Sequence, residues 1–523
     1  MKEIAIFDST LRDGAQGEGI SFSVADKIRI ALTLDELGIP FVEAGNPGSN
    51  AKDLEFFKEA SKLELKKSML VAFGATRRAN TNVCDDANLN ALLTANTKAV
   101  AIFGKSWDFH VTDIIKTTLE ENINMISDTI KYLKSKGKIV IYDAEHFFDG
   151  YKNNMEYALR TLKAASDAGA DYITLCDTNG GAFPDEVFEI SRTVCKLIGG
   201  NIGIHAHEDA GMAISNSIMA VFAGCNMVQG TFVGFGERCG NANLSAIISN
   251  LQLKKNYHCI DDLSKLTSYA NKICEISNVQ LNEKLPYVGK SAFAHKAGMH
   301  IDGVLKNSES FEHVSPSAVG NDRRFLVSEV AGRSTVVEKI CRFVPNVDKN
   351  DPVISEIIGR IKELEYLGYQ FEGADASFEL LVRKIMGTYK SSFVLDKFKI
   401  ITEDRLGAKG HSASAIIKIN VDGKEEIKAS EGEGPVNALD TALRNALEVF
   451  YPKLKDVRLT DYKVRVLEPK EATAANVRVL IESSDGVDSW STVGVSNDII
   501  EASWQALVDS LEYKIIKDYE GGN

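Results

Sequence analysis

From Met1 to about Leu281, short apolar runs rich in Val and Ile alternate with longer segments whose apolar residues recur at helical spacing. That is the pattern of repeated β/α units. The runs are Ile4 to Phe7, Phe41 to Ala44, Met69 to Phe73, Ala99 to Phe103, Ile139 to Tyr142, Tyr172 to Leu175, Ile202 to Ile204 and Met227 to Phe232. Between the first two lies SVADKIRIALTLDELG, in which Val24, Ile28, Ala31 and Leu32 fall on one helical face. Eight strands with intervening helices predict an α/β fold, a closed (β/α)8 TIM barrel over residues 1–281. Each run is followed by a polar, Gly-punctuated stretch: DSTLRDGAQ, NPGSN, GATRR, GKSWDFH, DAEHFFDG, DTNGG and HAHEDAG. Loops after the strands share one face of such a barrel, so the candidate chemistry is gathered there.

Beyond Leu281 the repeat is lost. Residues 282–373 read as a helical or irregular linker subdomain that contains FAHKAGMHIDGVLK and SEIIGRIKELEYLGYQFE. Residues 374–516 alternate again: strands Phe393 to Thr402, Ser412 to Val421 and Lys424 to Glu431 precede a helix at Pro435 to Val449. The same order recurs in Arg458 to Leu467, Ala474 to Ser483, Val487 to Val493 and Asp498 to Leu511. Two βββα units repeated at about sixty residues predict a separate C-terminal α+β domain.

Composition narrows the partners. Net charge is −13 and no basic cluster is present, which argues against nucleic acid. No run of eighteen apolar residues is present to span a membrane, and the charged start MKEIAIFDSTLRDG lacks the apolar stretch of a signal peptide, so a cytoplasmic protein is expected. The eight cysteines are scattered without a C-x-x-C pair and read as reduced. EGEGP matches neither a P-loop nor a strand-bounded G-x-G-x-x-G, so no nucleotide fingerprint exists.

His205 and His207, in GIHAHED at the seventh strand's end, are two apart and therefore point to the same side, into the barrel mouth. Paired imidazoles are a natural metal half-site. Asp13 and Asn241, from the loops of the first and eighth strands, would add oxygen ligands and leave two octahedral positions open for a bidentate 2-oxo acid. Such a mixed set accommodates Mg2+, Mn2+, Co2+ or Zn2+. Taken singly, each residue has a plainer alternative, a surface histidine or a turn at Asp-Gly or after Gly240.

DSTLRDGAQ, HAH and GNANL, followed by HKAGMHIDG and by EGEGPVNALDTAL and VGVSNDIIEASWQAL, resemble the 2-isopropylmalate, homocitrate and citramalate synthase family along nearly the whole chain. Within it, GNPGSNAKD, AFGATRR, GKSWDFHV, AEHFFDGY and VSEVAGRS are most similar to the citramalate branch. The resemblance implies a homodimeric acyltransferase that condenses acetyl-CoA with a keto acid, pyruvate for citramalate in isoleucine biosynthesis, at a divalent metal. The alternatives are 2-oxoisovalerate or 2-oxoglutarate as keto acid, or a metal-dependent lyase on the same barrel. It further implies that Arg12 polarises the ketone, that Thr178 binds the carboxylate, and that Glu145 and His300 share the proton transfer with Asp302 beside them. His300 would then reach the barrel mouth of a second subunit. The C-terminal domain is expected to bind an inhibitor, isoleucine for a citramalate producer. Many relatives carry Tyr where Phe311 stands here, and His313 is the nearby alternative for a proton-transfer group.

Overall fold

The computed structural model of the chain describes residues 2–326, 333–344, 347–348, 351–403, 412–467, 475–486 and 488–520. Among them, eight parallel strands close on themselves: β1 (Ala5–Asp8), β2 (Phe41–Gly45), β3 (Met69–Ala75), β4 (Ala99–Lys105), β5 (Ile139–Glu145), β6 (Tyr172–Asp177), β7 (Ile202–Ala206) and β8 (Met227–Gly230). Closure is made by β8 pairing with β1, from Ala5 opposite Met227 to Asp8 opposite Gly230. Helices α1 (Val24–Leu37), α2 (Ala51–Ala60), α3 (Ala87–Thr94), α4 (Leu119–Ser135), α5 (Met155–Asp167), α6 (Pro184–Leu197), α7 (Ala213–Ala223) and α8 (Leu244–Lys255) follow the strands in turn. The sequence sets these boundaries locally. Ser23 and Asp26 form a capping box at the start of α1, and Gly38 ends it at φ 91°, a conformation a side chain would strain. Ile30, Leu34 and Leu37 are its buried stripe.

Alternation along the strands decides what faces inward. Phe7, Val71, Ala99, Ala101, Ile141 and Met227 fill the barrel as one apolar cluster, while their neighbours pack outward against the helices. Further along β2, β5, β6, β7 and β8 the same inward parity falls on polar groups, Glu43, Asp143, Thr174, His205 and Gln229, while β3 and β4 place Phe73 and Phe103 there. The fourth, fifth and sixth strands run two, three and two residues past the apolar runs that predict them, to Lys105, Glu145 and Asp177. The eighth ends early, at Gly230 and not Phe232. There Thr231 leaves the barrel ladder and pairs with Asn243 in an isolated bridge.

The chain divides into two compact units: Met1–Phe293 with Val314–Asp322, and Ala294–His313 with Arg323–Asn523. The first contains the barrel and a further helix, α9 (Leu266–Ile276). The second begins with α10 (Gly298–Lys306), α11 (Arg333–Cys341), α12 (Pro352–Tyr366) and α13 (Asp375–Ile385). Two antiparallel three-stranded sheets follow. One comprises β9 (Val394–Glu403), β10 (Ser412–Val421) and β11 (Lys424–Gly432) with α14 (Pro435–Leu447); the other comprises β12 (Arg458–Val466), β13 (Val477–Ser484) and β14 (Ser489–Ser496) with α15 (Ile499–Glu520). Ile417 and Ile419 of β10 share one core with Leu439, Leu443 and Leu447 of α14 and with Leu507 and Leu511 of α15. Val336, Ile340, Ile354, Ile357 and Ile361 pack with Phe378 and with Val493 of β14, so α11 and α12 join the hydrophobic structure of this unit. The expected strand starts at Ala474 and Val487, and most of the segment VSEVAGRS, lie outside the described residues. All eight cysteines are free thiols, and no described helix is long and apolar enough to cross a membrane.

Candidate active site

The loop after β1 is organised by Ser9. Its carbonyl accepts from the amides of Arg12 and Gly14, and its hydroxyl accepts from the Asp13 amide at 3.2 Å. This turn delivers Arg12 and Asp13 together to the carboxyl end of the barrel. The Arg12 Nε–H donates to Glu43 Oε2 at 2.7 Å and its Nη1 to Asp13 Oδ2 at 3.0 Å, while the guanidinium lies 3.8 Å from the Phe73 ring centre. Ser9 Oγ also donates to Glu43, at 2.5 Å. Burial works against the Arg12 charge, but Glu43 and Asp13 more than offset it, and the guanidinium is a fixed cation.

His205 and His207 project from β7 and the loop after it, with their Nε2 atoms 3.2 Å apart, and His205 Nε2 lies 3.5 Å from Asp13 Oδ2. One ligand atom from each of Asp13, His205 and His207 lies within 4.8 Å of the others, and all three residues are buried. Burial pushes the Asp13 carboxyl up, but Arg12 first, then His205, His207 and Asn241, hold it down at about 2. Burial, together with His205, lowers His207 to about 4, and burial lowers His205 as well. At neutral pH the cluster is therefore one carboxylate and two neutral imidazoles whose lone pairs are free for a cation.

Asn241 lies beside the group, its side chain hydrogen-bonded to Asp13. Gly240, at φ 98°, has no room for a side chain, since a Cβ would sit 2.1 Å from the Gly234 carbonyl. That tight approach lets Asn241 bridge to His207 across the loop. The Asn241 amide nitrogen donates to Phe235 O at 3.3 Å, while its Oδ1 is buried without a partner. A buried orphan carbonyl beside a carboxylate and two neutral imidazoles fits a divalent cation: the four residues expected from sequence supply a mixed N and O donor set.

Next to this cluster is a cavity of about 220 Å³, lined by Arg12, Asp13 and both histidines and walled by Phe73, Phe103, Glu145 and Thr178. Phe73 and Phe103 stack with ring centres 5.4 Å apart. Thr178 Oγ1 accepts from the His146 amide at 2.9 Å, and Glu145 is ion-paired with Lys105, its neighbour in register on β4. His300 and Asp302 belong to the second unit, both on α10. The His300 ring is exposed and stacks on Phe311 with centres 4.2 Å apart, and Asp302 pairs with Lys306 one turn on, at 2.6 Å. Among the described contacts Asp302 is thus engaged by Lys306, a geometry the sequence expectation of a carboxylate fixing His300 did not include.

Sequence reasoning missed Glu43, Lys105, Asp143, Gln229 and Arg238. Arg238 clasps three loops: its Nε and Nη2 bind the Asp209 carboxylate at 2.7 and 2.9 Å, and Nη2 also donates to the Thr178 carbonyl at 2.8 Å. Glu43, Asp143 and Gln229 carried a usable signal, a polar residue at inward parity inside an otherwise apolar run.

Fold and site define the class. Residues 3–273 match the HMGL-like family, residues 287–367 the homocitrate synthase post-HMGL domain-like family, and residues 372–515 the LeuA allosteric (dimerisation) domain. The chain is 52% identical to the (R)-citramalate synthase of Aquifex aeolicus (strain VF5), covering 100% of this chain and 99% of the relative. It is 51% identical to the (R)-citramalate synthase of Geobacter sulfurreducens, covering 99% of each. A probable 2-isopropylmalate synthase of Methanopyrus kandleri is 30% identical, over 97% of each chain. The chain belongs to the (R)-citramalate synthase family.

Proposed function

We propose that the chain condenses acetyl-CoA with pyruvate and water to give citramalate and CoA. The observation that carries this reading is Arg12 and the Asp13, His205 and His207 cluster converging on a cavity of about 220 Å³ with two phenylalanines in its wall. The methyl group of acetyl-CoA loses a proton, its carbon bonds to the keto carbon of pyruvate, and water then cleaves the thioester, releasing CoA. A divalent metal held by Asp13, His205, His207 and Asn241 would act as a Lewis acid on the keto acid. Arg12, pinned by Glu43 and Asp13, presents a fixed positive charge to the oxygen that becomes an alkoxide. The Thr178 hydroxyl is assigned to the pyruvate carboxylate. His300 is assigned the removal of the methyl proton, with Glu145 as its carboxylate partner; in a homodimer His300 serves the second subunit's cavity. A second cavity of about 250 Å³ shares Arg12, Gln16 and Phe73 with the first and offers Asn46, Ser49 and Lys52 to the acyl-CoA.

The small apolar wall favours a methyl group over an isopropyl group. In a thiol-release assay with acetyl-CoA, kcat/KM for pyruvate should exceed that for 2-oxoisovalerate, and Phe103→Ala should raise the 2-oxoisovalerate to pyruvate ratio at least about tenfold. A wild-type preference for 2-oxoisovalerate would refute the substrate.

The LeuA-type domain supports control by an end product. Both sheets lead into a helix through short polar bends, at Glu433–Gly434 and Asn497–Asp498, next to helix N-termini of the kind that can hold an amino acid carboxylate. Millimolar isoleucine should inhibit the full chain, with leucine and valine weaker. Equal insensitivity to all three, with no heat of binding in calorimetry, would leave the domain to dimerisation alone.

A further inference from the structure

We propose that Gln229 is a positioning residue that sets the tautomer of His205 and thereby aims its Nε2 lone pair at the metal position. The inference rests on the metal-site reading given above. Gln229 lies on β8 in register with His205 on β7, and no part of it is exposed. Its amide nitrogen has two hydrogens, and each has an acceptor: Asp143 Oδ1 at 2.8 Å and Thr174 Oγ1 at 2.9 Å. The Thr174 hydroxyl in turn hydrogen-bonds the Asp143 carboxyl. With both N–H groups engaged, Gln229 Oε1 is left facing His205 Nδ1 at 3.0 Å. A carbonyl oxygen only accepts, so His205 Nδ1 carries the hydrogen and Nε2 keeps its lone pair. That lone pair points to Asp13 and His207, 3.5 and 3.2 Å away. The opposite tautomer would set two acceptors against each other at Nδ1 and a hydrogen in the space between the ligands. Asp143 and Thr174 hold the amide in one sense, and the amide holds the ring in one tautomer.

His207 lacks such a brace, since its Nδ1 is buried without a partner. The two imidazoles are therefore unequal, with His205 preset before any cation arrives.

The test is nitrogen-detected NMR of the full chain labelled with 15N-histidine and stripped of metal, combined with cobalt(II) titration followed by absorption. Wild-type His205 should carry its hydrogen on Nδ1 in the metal-free protein. Gln229→Met should lose that single tautomer and bind cobalt roughly 10- to 100-fold more weakly. The exchange variant Asp143→Asn with Gln229→Glu restores an acceptor at Nδ1 with a donor behind it, and should recover most of the affinity. A wild-type His205 with its hydrogen on Nε2, or a Gln229→Met protein with unchanged tautomer and affinity, would overturn the proposal. The wild-type tautomer needs no variant to fold. Because it is read without metal, failure of the brace is distinct from failure of the metal site, which would show as a wild-type chain that binds no cobalt.

Discussion

Asp13→Ala and His207→Ala are each expected to lower kcat by about 10⁴-fold while leaving the fold intact. Lewis-acid polarisation of the keto acid is worth several kcal/mol, and a site with one donor of four removed holds its cation too weakly to supply it. The fold should survive because both residues sit at the carboxyl end of the barrel, above the apolar cluster of Phe7, Val71, Ala101, Ile141 and Met227. Asp13→Ala also leaves Arg12 with its second carboxylate, Glu43, so no buried charge is stranded. Circular dichroism and thermal unfolding should match wild type, while bound metal, measured by mass spectrometry, should fall together with kcat. Near-normal turnover in a chelator-treated, metal-free enzyme would end the metal reading.

Arg12→Lys should cost on the order of 10²- to 10³-fold in kcat, with a smaller change in the KM for pyruvate. The guanidinium spans Glu43 and Asp13 through two different nitrogens, with its carbon 3.8 Å from the Phe73 ring centre. An ammonium keeps the charge but has neither the fork nor the plane, so it cannot hold both carboxylates and still face the developing oxyanion. Lysine is the better probe than alanine. Removing the cation altogether would leave Glu43, which is not exposed at all, as an unpaired buried carboxylate, and a loss of stability would then obscure the loss of rate. A variant with wild-type kcat would show that Arg12 serves only the packing of its two carboxylates.

The barrel was legible because its strands are buried on both faces and therefore read as short apolar runs. The metal ligands were legible for a different reason: Asp13, His205, His207 and Asn241 lie in polar loops or at strand ends, where a run of chemistry stands out against the apolar repeat. Glu43, Asp143 and Gln229 did not stand out. They sit inside the strands, where the signal is a single polar residue at inward parity, and closure of the barrel then points them at one another and at Arg12. Lys105 and Glu145 are forty residues apart in sequence and meet only through the register of β4 with β5. Apolar content alone ends β4, β5 and β6 too early, because the ladder continues through polar residues. Asp302 stands two residues from His300, but residues two apart on a helix face different ways, and Lys306, four along, pairs with it instead.

The inward polar layer has a consequence for the barrel as a folded object. Stability alone would fill that layer with apolar side chains, as in the layer beneath it. Instead Asp143 is buried there, and burial, then the neighbouring Glu43, push its carboxyl up to about 7 from an ordinary 3.8. Its burden on folding is absent below about pH 4, where the carboxyl is protonated whether folded or not. The burden grows as pH rises from 3.8 toward about 7 and is constant above that. At neutral pH the barrel therefore carries a standing penalty at its own centre, offset by the apolar layers around it. Mutations that relieve it will tend to yield a tougher and less active protein, so selection for heat resistance and selection for turnover pull this layer in opposite directions.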